Sequence, residues 1–158
     1  MLTRLSVVLV ALYTLPAFAA EPVLSCKDRE AYDKEFVVLD ELLSSQHPKL
    51  EQWEYLHRFY LGLVKRFPGC DNGVRGQRLS DEVVYLLAYY WNEFDRFLTA
   101  EKPDDDFKNF MLAHIDSSGE RQYLEKIVAN ARERCSQKAK PLCLKINTRA
   151  ETAISQIR

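Results

Sequence analysis

The stretch DEVVYLLAYYWNEFDRFL, residues 81–98, decides the fold class. Its apolar residues recur at intervals of three and four and cover more than half of the circumference of a helix. They are Val83, Val84, Leu86, Leu87, Tyr90, Trp91, Phe94, Phe97 and Leu98. A helix with so wide an apolar face must be buried on several sides. The stretch therefore predicts a central helix over about 81–98, with Ser80 as its N-cap.

Helical spacing continues on both sides of this segment. It predicts five further helices, over about residues 27–43, 50–67, 104–115, 119–135 and 142–157. Ser25 is expected to cap the first helix, and Ser117 with Glu120 to form a capping box at the helix over 119–135. Pro68 and Gly69 should end the helix over 50–67, followed by a loop as far as Arg78.

These patterns predict an all-α protein. No segment shows the sustained two-residue alternation of a strand. Since most connections are short, neighbouring helices should run antiparallel. We therefore expect a compact bundle of about six helices in antiparallel hairpins. A short α-superhelical stack is the alternative, although no clean sequence repeat is visible.

The first nineteen residues have the three parts of a secretory signal peptide. Arg4 precedes an apolar run over residues 5–15, and Ala17-Phe18-Ala19 supplies a small-x-small cleavage pattern. The run is shorter than the roughly 20 residues that span a bilayer. Cleavage after Ala19 would leave a single domain over residues 20–158. An uncleaved anchor is one alternative; another is lipidation of Cys26, because Val23-Leu24-Ser25-Cys26 resembles a bacterial lipoprotein signal.

The four cysteines are Cys26, Cys70, Cys135 and Cys143. None is spaced as in common metal sites, and an oxidising compartment favours two disulfides. Cys26 precedes the first predicted helix and Cys70 follows the second, so an antiparallel hairpin brings them together. Cys135 and Cys143 flank one short connection. The sequence therefore predicts the pairs Cys26–Cys70 and Cys135–Cys143, with the longer loop contributing on the order of 4 kcal/mol and the shorter about 2–3 kcal/mol.

Composition excludes several classes of function. The net charge is −1, or −2 without the signal peptide, whereas nucleic-acid binders carry a strong positive excess. The absence of an Asn-x-Ser/Thr sequence favours a secreted protein of the bacterial periplasm over a eukaryotic secretory route. No further segment approaches the length of a transmembrane helix.

No motif for a cofactor, a metal or a catalytic residue is present. His57 is expected to be a hydrogen-bonded core or boundary residue, His47 to be exposed in a turn and His114 to lie near a helix end. The run Asp104-Asp105-Asp106 is typical of a helix N-terminus, where the dipole favours carboxylates.

Two features could contact a partner. Tyr85, Tyr89, Asn92 and Arg96 fall on one face of the predicted central helix, and tyrosine and arginine are enriched in protein interfaces. A basic stretch could meet an acidic protein or an anionic envelope surface. It comprises Arg132, Arg134, Lys138, Lys140, Lys145 and Arg149. Each feature has a plainer explanation, namely a face covered by another helix and a solvated loop.

These observations favour a small secreted protein-binding module, of which an inhibitor or an immunity-type protein is one version. Two alternatives stay open. The chain could be an envelope enzyme that uses paired carboxylates, which requires a cleft with two converging acids of perturbed pKa. It could also be a structural or stress-related envelope protein with no discrete ligand, which predicts the absence of both a cleft and an exposed aromatic row.

Overall fold

The computed structural model describes residues 26–44 and 49–157. All regular structure in these two ranges is helical, which confirms the all-α prediction. The elements are α1 (Arg29–Ser44), α2 (Lys49–Phe59), a π-helical segment (Tyr60–Val64), α3 (Gly73–Tyr89), α4 (Trp91–Ala100), α5 (Asp105–Ala113), α6 (Arg121–Glu133) and α7 (Lys140–Gln156). The predicted signal peptide over residues 1–19, the predicted Ser25 cap and His47 lie outside the described residues.

The core is rich in aromatic side chains because the predicted apolar faces of α1 to α5 converge in one cluster. Trp53 of α2 and Trp91 of α4 are both buried, and each contacts the ring of Phe94. A buried indole N–H requires an acceptor. Trp53 donates to the carbonyl of Tyr90 at 3.2 Å, and Trp91 donates to that of Arg134 at 3.1 Å. These two bonds fix α2 and the end of α6 to the core.

The single central helix predicted over 81–98 is wrong, because the chain breaks at Tyr90 (φ −119°, ψ 40°) into α3 and α4. The break lets the wide apolar face serve two sets of neighbours, since α3 packs on α6 and α4 packs on α2. It also leaves carbonyls at the end of α3 without helical partners. The buried Asn130 amide donates to two of them, at Leu87 (3.1 Å) and Ala88 (3.0 Å).

The predicted loop to Arg78 and the Ser80 cap are also wrong, since α3 begins at Gly73 and Ser80 is buried inside it. The glycines of this stretch serve the helix start rather than a loop. Gly73 adopts φ +61°, a conformation that glycine tolerates best. Gly76 allows the first turn of α3 to lie directly against the main chain of Asp71.

The helix N-termini are only partly as predicted. Asp104 caps α5 by accepting a hydrogen bond from the Phe107 amide at 2.8 Å, which confirms that this acidic run starts a helix. The predicted capping box before α6 is wrong, because the cap residue Glu120 makes no side-chain capping bond. Instead, Asp116 accepts from the main chain and hydroxyl of Ser118, and this turn leads into α6.

Both predicted disulfides are present. Cys26 and Cys70 join the start of α1 to the segment after the π-helical turn, with their Cα atoms 4.8 Å apart. Cys135 and Cys143 join the α6–α7 connection to α7, with their Cα atoms 6.3 Å apart. Two disulfides fit a protein of extracellular type. Within residues 26–44 and 49–157, no helix is both long enough and apolar enough to cross a membrane.

Candidate functional site

Two exposed tyrosines of α3, Tyr85 and Tyr89, form a cluster with the partly buried Tyr123 of α6. We call this cluster, together with Lys126, the tyrosine surface. Tyr85 and Tyr89, one turn apart on α3, are 38% and 45% exposed. The ring centroids of Tyr85 and Tyr89 are 5.1 Å apart, and Tyr123 of α6 lies edge-on to Tyr89 at 5.4 Å and to Tyr85 at 6.1 Å. Because each ring is held by two others, the cluster is a preformed surface.

The same helix pair holds this surface in place from behind. On the inner side of α3, Leu86 and Leu87 are fully buried, so the helix cannot rotate without exposing them. On the inner side of α6, Leu124 and Ile127 are equally buried. The Asn130 amide of the same helix donates a hydrogen bond to the end of α3. The tyrosines therefore project from a rigid base.

The tyrosine surface already binds a cation from its own chain. The ammonium nitrogen of Lys126 lies 3.7 Å from the centroid of the Tyr89 ring. This is a cation–π contact, in which the negative face of the ring attracts the charge. A hydrogen bond with Tyr90, together with burial, raises the pKa of Tyr85 above its ordinary value. The Tyr85 hydroxyl therefore stays neutral at physiological pH.

A shallow cleft beside Tyr85 and Tyr123 is lined with carboxylates. It has a volume of about 380 Å³, and Asp81, Glu82 and Glu120 line it with a single cation, Arg78. Desolvation raises the pKa of the Asp81 carboxyl, and Asp116 and Glu120 raise it further, whereas Arg78 lowers it. The cleft thus combines aromatic faces with an excess of negative charge. It suits a cationic side chain such as lysine or arginine.

The other residues of the predicted partner face lie on a different helix. Because of the break at Tyr90, Asn92 and Arg96 belong to α4 rather than α3. The Asn92 side chain accepts a hydrogen bond from Arg134 at 2.7 Å, and Arg96 forms an exposed ion pair with Glu93. The structure therefore brings Tyr85 and Tyr89 together with Tyr123 and Lys126, which sequence reasoning had not joined to them.

The residues of the predicted basic stretch are distributed over separate environments. Arg132 pairs with Glu151 and Asn147, while Arg134 bonds Asn130 and Asn92. Arg149 donates to the carbonyl of Leu112 at 3.2 Å. Lys140 is exposed at the start of α7, whereas Lys138 and Lys145 line a cleft against α4 and α5.

A polar network that the sequence did not reveal joins α3 to the end of α5. The Ser80 hydroxyl lies 3.0 Å from His114 Nδ1 and donates to Asp116 at 2.9 Å, while His114 Nε2 lies 3.6 Å from a carboxylate oxygen of Asp71. The neighbouring His114 ring lowers the pKa of the Asp71 carboxyl, against the desolvation that raises it.

This network contains serine, histidine and aspartate but is not arranged for nucleophilic catalysis. A catalytic serine must give its proton to the histidine. Ser80 instead directs its proton to Asp116, and its side chain is only 1% exposed. The network therefore ties the start of α3 to α5 beside the Cys26–Cys70 disulfide. His57 lies elsewhere, half-buried against Phe97 and Phe107, and burial lowers its pKa.

Within residues 26–44 and 49–157, no group of three or more potential metal ligands comes together. The chain matches no protein-family model, no curated protein and no solved structure. The candidate site is consequently defined by its own geometry, which combines a rigid tyrosine surface, a bound ammonium group and a neighbouring carboxylate cleft.

Proposed function

We propose that the protein is an exported protein-binding module of the bacterial periplasm, of inhibitor or immunity type, which docks a partner on the tyrosine surface. The partner segment presents a lysine or arginine that enters the carboxylate cleft between Tyr85 and Tyr123. The observation that carries the proposal is the exposed, preformed tyrosine surface. Tyrosine is among the residues that dominate binding energy in protein interfaces.

The rigidity of the surface supports this function. Ordering a long side chain on binding costs about 0.5–1.5 kcal/mol, which reduces affinity. The tyrosines avoid most of this cost, because their rings are already packed against one another at 5.1–6.1 Å. The two disulfides further restrict the scaffold, and they fit the oxidising compartment that the proposal requires.

The charge pattern supports a cationic partner segment. Three carboxylates and one guanidinium line the cleft beside the tyrosines, so an incoming cation is attracted. Lys126 on the Tyr89 ring illustrates, within the chain itself, how an ammonium group contacts this surface. A like-charged partner would be repelled, which gives the surface selectivity.

Site-specific crosslinking tests the proposal. A photoreactive phenylalanine analogue replaces Tyr89 in one variant and Val74 in the control, since Val74 lies on the same helix and is 78% exposed. We expect position 89, and not position 74, to crosslink one reproducible protein in the periplasm. If the module is an inhibitor or immunity protein, the activity of that partner falls when the purified proteins are mixed.

Affinity measurements with the purified partner complete the test. Tyr85→Ala and Tyr89→Ala should each weaken binding by roughly 30-fold or more, as expected for a hot spot of at least about 2 kcal/mol. Val74→Ala should leave the affinity within about twofold. Glu120→Gln should weaken binding and reduce its dependence on salt, because it removes charge from the cleft. Equal crosslinking from both positions, or an affinity insensitive to Tyr85→Ala, would refute the proposal.

A further inference from the structure

A second cleft lies between α4, α5 and the start of α7, and it shares no lining residue with the tyrosine surface. Its volume is about 590 Å³, within the range of pockets that hold small organic ligands. We call it the lysine cleft, because Lys102, Lys108, Lys138 and Lys145 line it. Asp95 and Asp105 are the carboxylates in the lining, so the charges leave a positive excess of two.

The positive charge is largely available to a ligand. Lys108 donates to Asp105 at 2.9 Å, and Lys108 and Lys145 together lower the pKa of the Asp105 carboxyl. Asp105 is thereby neutralised by its own neighbours. Lys102 and Lys138 form no ion pair with the residues that the structure describes, and both are exposed. Two ammonium groups at the rim are therefore free to contact an anion.

The floor of the lysine cleft is apolar. Leu98 of α4, Leu112 of α5 and Leu142 of α7 are partly buried and line it from three helices. Water in contact with such a floor is released when an apolar group covers it, which favours binding. The cleft thus offers an apolar base and a cationic rim, an arrangement that matches an amphipathic anion.

Two backbone features give the cleft a fixed shape. Five of its lining residues lie between Cys135 and Cys143, so the disulfide constrains one wall. Elsewhere in the lining, Lys102 adopts φ +46° and is the sole non-glycine residue with positive φ within the described part of the chain. Such conformations are strained and cluster at functional sites. A glycine would turn the chain there with less strain, whereas lysine adds a charge to the rim.

We propose that the lysine cleft binds a small organic carboxylate with an apolar body, such as a medium-chain fatty acid. The carboxylate contacts Lys102 and Lys138, and the apolar body covers Leu98, Leu112 and Leu142. This site is independent of partner docking on the tyrosine surface. A variant that loses one activity therefore keeps the other.

Titration of the isotope-labelled protein with decanoate, followed by amide chemical shifts, tests the proposal. Decanoate should cause saturable shifts confined to the residues that line the cleft. Decanol should bind more weakly by at least about tenfold, because it lacks the charge that the lysines contact. Decyltrimethylammonium has the same apolar chain with a positive charge and should not bind.

Charge-matched variants locate the binding. Lys102→Gln with Lys138→Gln should weaken decanoate binding by at least about tenfold. The control pair, Lys27→Gln with Lys34→Gln, changes the net charge equally at exposed positions before and within α1 and should leave the affinity unchanged. Equal binding of decanoate and decyltrimethylammonium, equal losses in the two variants, or the absence of saturable shifts would overturn the proposal.

Discussion

Replacing Gly76 with alanine should destabilise the protein, although alanine is the better helix former. Gly76 lies in the first turn of α3, where its Cα faces the main chain of Asp71. A Cβ atom at this position would lie well inside 3.0 Å of the Asp71 carbonyl oxygen and 3.1 Å from its carbonyl carbon. Both are main-chain atoms, so no side chain can rotate away to make room.

The expected magnitude follows from two opposing effects. Helix propensity favours alanine over glycine by about 0.8–1.0 kcal/mol. Overpacking a well-filled site costs about 1–3 kcal/mol. The upper end applies here, because moving Asp71 strains its contact with His114 and the adjacent Cys26–Cys70 disulfide. The net loss in the free energy of unfolding is therefore about 1–2 kcal/mol.

Gly62→Ala is the matched control. Gly62 also lies in a helical segment, but a Cβ atom there would meet nothing within 4 Å. This variant should gain about 0.5–1 kcal/mol from propensity alone. Urea denaturation of the oxidised proteins, monitored by circular dichroism, measures both changes. If Gly76→Ala were as stable as Gly62→Ala, the close approach of α3 to Asp71 would be refuted.

Two further variants probe the polar contacts of the fold. The neighbouring His114 ring lowers the pKa of the Asp71 carboxyl below its ordinary value of 3.8. The carboxylate therefore stabilises the fold fully above pH 3.8, and this stability is lost as the pH falls through the lower folded pKa. Asp71→Asn should therefore be less stable than the natural protein at pH 5, with a difference that narrows below pH 3.8 in urea titrations; a constant difference would contradict this. Asn130→Ala should lower the free energy of unfolding by about 1–3 kcal/mol, because two main-chain carbonyls at the end of α3 lose their donor. Asn109→Ala, at an exposed position, should change it by less than about 0.5 kcal/mol, and similar losses in both variants would argue against this role.

Helix type and the Cys135–Cys143 pair could be predicted from sequence because both depend on short-range spacing. The apolar intervals of three and four hold for α2, α6 and α7 irrespective of their neighbours. The Cys135–Cys143 pair follows from a short connection, and the Cys26–Cys70 pair follows from two helices of similar length. The Cys26–Cys70 pair needs one tertiary assumption, namely that the first two helices form an antiparallel hairpin.

The break at Tyr90 could not be predicted in the same way, since residues 81–98 have the composition of one helix. A group that stabilises the break lies far away in the chain, where the Asn130 amide donates to two carbonyls at the end of α3. One signal was available, because Asn130 is a polar residue among the apolar positions Leu124, Ile127 and Ala131 of α6. A buried amide in such a position usually has a partner of this kind.

The start of α3 could not be predicted because glycine occurs both in loops and at close backbone contacts inside helices. In sequence, Gly69, Gly73 and Gly76 within eight residues favour a loop. In the structure, Gly69 and Gly73 do adopt positive φ, but Gly76 is helical and permits a close backbone contact. Local propensity cannot distinguish these uses.

Only the α3 part of the candidate site could be predicted from the sequence. The spacing of Tyr85 and Tyr89 placed them together on one helix face, and both are exposed. Tyr123 and Lys126 join them only because α6 packs beside α3, a contact between residues more than thirty positions apart. The carboxylate cleft depends on the same packing. Long-range contacts of this sort leave no periodic trace in a single sequence.

Each disulfide joins cysteines that are consecutive along the chain, the first with the second and the third with the fourth. A polypeptide that threads N-terminus first into an oxidising compartment presents Cys26 and Cys70 while the later cysteines are still on the other side. Oxidation in order of arrival then gives the native pattern, one of the three that four cysteines allow. If the protein is exported as proposed, both disulfides can form in this order without reshuffling.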